Sequence, residues 1–84
     1  MITIQLSLAD EIFTLHLKGS QLVGLFHHQQ AITFESPKQY MYEFDFRGER
    51  VGLDTCNVDN RCLAIYINQQ FAHRLVIPTM TPTN

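Results

Sequence analysis

The chain has no Gly-rich phosphate loop, no nucleophile elbow, no zinc-finger spacing and no paired-His helix motif. Chemistry that depends on one of those arrangements has no local signature here, and no catalytic residue is assigned. Basic residues are few and scattered: Lys18, Lys38, Arg47, Arg50, Arg61 and Arg74 stand against eight Asp plus Glu, for a net charge of -2. A nucleic-acid binder gathers cationic side chains to neutralise phosphates, so neither nucleic acid nor an anionic membrane surface is the expected partner. No apolar run approaches the ~20 residues that cross a bilayer as a helix. Met1 is followed at once by Ile2, Thr3, Ile4 and Gln5, without a basic stretch or long apolar segment. No export leader is therefore expected, and a cytoplasmic location is.

What is present is a hydrophobic, lightly charged chain. Its 84 residues are 45% hydrophobic and 17% charged, a balance that predicts folding rather than disorder and leaves room for one domain. That domain is expected over residues 1–77, with 78–84, which carry no periodic signal, as a flexible C-terminal tail.

Period-two apolar alternation, interrupted every few residues by turn-type residues, predicts an all-β antiparallel meander of about eight short strands. Ile2, Ile4, Leu6 and Leu8 form the first inward set. A turn at Asp10 and Glu11 would set Leu6 against Leu15, and a type II′ turn at Gly19 and Ser20 would set Leu17 against Leu22 and Phe13 against Phe26. On that register Val23 and Leu25 point outward. A turn at Gln29 and Gln30 then brings Ile32 and Phe34 to the same outer side. Pro37 marks a break or sheet-to-sheet crossing over 36–39.

In the second half, Tyr40, Tyr42, Phe44 and Phe46 alternate with polar residues, and a turn at Gly48 and Glu49 pairs Phe44 with Leu53. Leu53 then faces Ile65 and Val51 faces Ile67. A three-residue loop over 68–70 would place Phe71, His73, Leu75 and Ile77 inward. Gly24 and Gly52, inside strands, predict a bulge or a close backbone approach. The strands could close into a small barrel or pack as a two-sheet sandwich.

Four groups of residues could act. Val23, Leu25, Ile32 and Phe34 form an outward apolar set that needs cover and is expected to meet a protein partner. Glu43 and Asp54 face each other with Asp45 diagonal, an acidic patch suited to docking a basic partner, with Arg74 in reach as a neutraliser. Tyr40, Tyr42, His28 and His73 could line an end cavity for a small ligand. Cys56 and Cys62 fall opposite one another across a ladder, where a disulfide could form, but a reducing cytoplasm predicts two free thiols.

His27 and His28 are consecutive on a strand, so they point to opposite faces and should not share an ion. No metal or other cofactor is expected. The function these readings favour is a small non-enzymatic protein-binding module, acting as a homo-oligomer or as an inhibitor or adaptor of a larger protein. The alternative is a small-ligand-binding β-barrel or sandwich.

Overall fold

Alternating strings bury one parity each, and the chain reverses between them through tight turns whose backbone twist matches that of the flanking strands. The computed structural model describes residues 1–77 and the backbone of Thr81–Pro82. Five strands form the first sheet: β1 (Ile2–Leu8), β2 (Glu11–Lys18), β3 (Gln21–His27), β4 (Gln30–Ala31) and β10 (Thr81–Pro82), in the order β10-β1-β2-β3-β4. The second sheet runs in chain order through β5 (Glu35–Lys38), β6 (Met41–Phe46), β7 (Glu49–Asp54), β8 (Cys62–Ile67) and β9 (Gln70–Val76). Every pairing is antiparallel. The architecture is an antiparallel meander folded into a two-sheet sandwich, not a closed barrel. The tail expected over 78–84 lies outside the described residues except for Thr81–Pro82, whose backbone pairs with Ile2 and Thr3.

Three turns sit one residue earlier than the turn-residue types suggest, and the three-residue loop expected over 68–70 is a two-residue turn at Asn68 and Gln69. Ala9 and Asp10, His28 and Gln29, Arg47 and Gly48, and Asn68 and Gln69 all have positive φ at both positions, the signature of type I′ hairpins. Leu6 consequently faces Phe13, Phe44 faces Val51, and His27 faces Gln30. At residues 9 and 10, 28 and 29, and 47 and 48 the turn moves by one residue, which shifts pairing by two and leaves the parity across that turn intact. The Gly19 turn falls where expected, with Leu17 opposite Leu22, and so does the pairing of Leu53 with Ile65 and Val51 with Ile67.

Two bulges change the faces. Between Leu17 and His16 the partner strand carries one extra residue, Val23, so His16 pairs with Gly24 and Leu15 with Leu25. The parity of β3 flips there: Leu25 is buried and Phe26 turns outward against His16, with ring centroids 5.4 Å apart. Gly24 is needed at that crossing, since a Cβ would lie 3.1 Å from the Phe26 ring. The second bulge inserts Ala72: Tyr66 faces Phe71 while Ile65 faces His73. Phe71 is therefore outward and exposed, and His73, though opposite Ile65, is exposed as well, which corrects the inward placement of both, while Leu75 and Ile77 do pack on the core.

The chain crosses between sheets at 32–34, earlier than Pro37, which instead lies within the irregular edge strand β5 where a missing N–H is tolerated. Leu6, Phe13, Leu15, Leu25, Phe44, Leu53, Leu63 and Ile65 fill the space between the sheets.

Among the described residues, Thr55 is the buried polar residue of this core. Its hydroxyl donates to the Ser20 carbonyl at 2.6 Å, and its N–H to the Tyr40 carbonyl at 2.8 Å, so it ties the β2–β3 turn to the second sheet. Thr55→Val keeps the shape but removes the donor. The loss is expected to be about 1–3 kcal/mol, because the hydrogen bond goes and the Ser20 carbonyl is left in a poorly solvated place. Urea denaturation of the two proteins would measure it, and an unchanged midpoint would mean that the bond is not formed in solution.

Candidate functional site

The outward apolar set does not exist as one surface. Leu25 is 1% exposed and belongs to the core because of the Val23 bulge. Ile32 donates its N–H to the Leu25 carbonyl at 2.8 Å and, like Phe34, packs against the core; the Phe34 ring meets Tyr42 edge-on at 5.8 Å. Val23 alone of the four is exposed. The cover this set was expected to need is supplied by the chain's own crossing between sheets.

The acidic patch is rearranged as well. Glu43 faces Gly52 and Asp54 faces Met41, so the expected Glu43 and Asp54 pair is absent. Arg50, not Arg74, is the neutraliser: its guanidinium reaches Glu35 at 2.6 Å, Glu43 at 3.2 Å and Asp45 at 3.2 Å. These bonds, first to Glu35 and then to Asp45, hold Arg50 still more firmly charged than an ordinary arginine. Asp54 is occupied elsewhere, accepting the Cys56 N–H at 3.0 Å.

Cys56 lies past the end of β7, and a single 3-10 turn (Val58–Asn60) intervenes before Cys62, which pairs with Val76. The two cysteines are therefore not a cross-strand pair, and both are free thiols. Desolvation, followed by the hydrogen bond and charge of Asp54, pushes the Cys56 thiol up, away from the reactive thiolate.

The four residues of the expected ligand cavity are dispersed. Tyr40 and Tyr42 share a groove with Lys18, Ser20, Gln21, Ser36 and Gln39. His73 lies instead beside Leu8, Ala9, Phe46, Arg47 and Ala72. His28 belongs to a third place, next to Glu11.

That third place brings together residues the sequence reading kept apart. His27 ends β3, but His28 is already in the turn with φ +52, so strand alternation no longer applies and the two imidazoles come side by side with centroids 4.1 Å apart. His27 stacks on Phe13 at 4.7 Å, which fixes its ring. Glu11, the first residue of β2, approaches both: its Oε2 lies 3.4 Å from His28 Nε2 and 3.7 Å from His27 Nε2. Its other oxygen accepts from Arg47 at 2.9 Å, and Arg47 also donates to the Ala9 carbonyl at 3.3 Å. The sequence places Glu11 in a turn and His27 and His28 on opposite faces, and both expectations are corrected here. The turn-forming Gln29 after the His pair was the one available clue.

The other distinctive surface is the β9 edge. Among the described residues no strand pairs along its outer side. Phe71 and Val76 are 55% and 72% exposed on it. Tyr66 and Arg74 flank the Phe71 ring at 5.8 Å each.

No family model matches the chain, and comparison with curated proteins and with solved structures returns no match. No helix among the described residues is long and apolar enough to cross a membrane.

Proposed function

We propose that this chain is a small non-enzymatic protein-binding module that self-associates by antiparallel pairing of β9 with β9 of a second copy. The observation that supports this reading is a contrast among the described sheet edges. β4 is two residues long, and β5 is irregular and contains Pro37; each of these features discourages strand addition. β9 has seven residues, a regular stretch after Ala72, and two exposed apolar side chains. Its single formal charge, Arg74, allows two identical strands to align without opposed charged rows. A symmetric edge pairing of this kind uses the same patch on both copies and closes as a dimer. Neither nucleic acid nor a membrane is a partner in this reading, and the location is cytoplasmic.

Sedimentation velocity across a concentration series is expected to show a reversible monomer–dimer equilibrium. Replacing both Phe71 and Val76 by Lys should shift it to monomer while circular dichroism and melting stay close to the parent, since both side chains are already in solvent. A chain that stays monomeric throughout the series, or a dimer that survives the double substitution, would overturn the proposal. A stable complex with a larger protein through the same edge, without self-association, would replace it by the inhibitor or adaptor form.

A further inference from the structure

We propose that Glu11, His27 and His28 form a binding site for one divalent transition-metal cation of the zinc type. The inference is independent of the β9 edge and stands on the geometry at the opposite sheet. The three donor atoms, one from each side chain, all lie within 4.8 Å of one another. Zinc held at about 2.0–2.2 Å by nitrogen and oxygen donors in a tetrahedron requires those donors to be roughly 3.4 Å apart. Glu11 Oε2 and His28 Nε2 are at 3.4 Å, and His27 Nε2 is at 3.7 Å from the same oxygen, so both carboxylate–imidazole spans already fit an ion, and the two imidazole donors, within 4.8 Å of each other, close on it by a turn of the exposed His28 side chain.

A second, separate observation is the state of His27 Nε2. This nitrogen is buried and has no hydrogen-bond partner, although its ring is locked against Phe13 and meets Phe46 edge-on. A buried polar atom without a partner is costly, and one aimed at a carboxylate and a second imidazole has an evident use as a lone-pair donor. Arg47 completes the arrangement as a positioning residue. By taking Oε1 of Glu11 it fixes the carboxylate and leaves Oε2 turned to the two imidazoles.

The donor set selects the class of ion. Calcium and magnesium depend on several oxygen ligands, whereas here there is one carboxylate, already paired with an arginine. Two imidazoles and one carboxylate suit zinc, cobalt, nickel or copper. His28 is 69% exposed, so the site opens to solvent on its side and leaves a fourth coordination position free.

Titration of the full chain with zinc chloride by calorimetry is expected to show one ion per chain and a rise in melting temperature, with no comparable effect of magnesium or calcium. The imidazole resonances of His27 and His28 should move together, and cobalt substituted for zinc should give a spectrum without a thiolate charge-transfer band. His28→Asn removes a ligand but retains a residue that tolerates positive φ, and Glu11→Gln removes the charged donor. Each should weaken binding by more than about tenfold, while metal-free melting of His28→Asn stays near the parent. No binding, or binding unchanged in both variants, would overturn the site. So would a cobalt–thiolate band lost on Cys56→Ser, or half an ion per chain with zinc-induced pairing, which would place the ion elsewhere or between copies.

Discussion

Leu25→Asp is expected to leave the chain unfolded, whereas Val23→Asp, two residues earlier, should fold and melt within about 0.5 kcal/mol of the parent. Leu25 is 1% exposed, sits opposite Leu15 and lies in the centre of the sandwich, where a carboxylate would find no partner. The effective penalty of a buried unpaired charge is several kcal/mol, comparable to the ~5 kcal/mol at the low end of the stability of a small domain. Val23 is the extra residue of the bulge and is 43% exposed, so its replacement touches water. Circular dichroism and thermal melting of the two variants would check the contrast. Cooperative melting of Leu25→Asp near the parent temperature would place the bulge wrongly and return Leu25 to the surface.

Phe13→Ala should cost about 3–5 kcal/mol, the range for emptying a packed aromatic site. Phe13 is fully buried, and its ring stacks on His27 at 4.7 Å, tilts against Phe44 at 5.5 Å and meets Phe46 edge-on at 4.9 Å. It is thus a hinge of packing between the two sheets and the support of the His27 ring. Phe13→Leu, which refills part of the volume, should lose less. Urea midpoints would rank the three proteins. A loss below about 1 kcal/mol for the alanine variant would contradict the central position of this ring, since full burial of such a side chain alone is worth more.

The inward sets Ile4, Leu6, Phe13, Leu15 and Leu17, and Phe44, Val51, Leu53, Leu63 and Ile65, were readable because alternation in a strand is a local property of the backbone. Their order along an antiparallel meander was readable for a related reason: connections this short cannot lead anywhere but to the neighbouring strand. Gly24 and Gly52 announced close approaches correctly. At Gly52 a Cβ would come within 3.3 Å of the Tyr66 Cβ.

What misled was turn chemistry. Residue type points to Glu11, Gln30 and Glu49 as turn residues, yet the structure reverses one residue sooner, through Ala9, His28 and Arg47 at positive φ. Such residues pay a steric cost there, of the order of 1–2 kcal/mol each. Burial on the strands they connect outweighs it, since a register slip of one residue would turn every inward side chain to water.

The sequence by itself determined the class of fold, the succession of strands and most of the core, because each follows from spacings within a few residues. Only the tertiary structure decided the faces beyond each bulge, and so the fate of Leu25, Ile32, Phe34 and Phe71. It alone also decided the sandwich over the barrel, the gathering of three carboxylates on Arg50, and the meeting of Glu11 with His27 and His28. The physical reason is common to these cases. A single inserted residue or a displaced turn changes local energy by about 1–2 kcal/mol in either direction, too little for a local pattern to reveal. The choice is made by how much apolar surface the whole sandwich can then bury, a quantity that exists only once both sheets are in place.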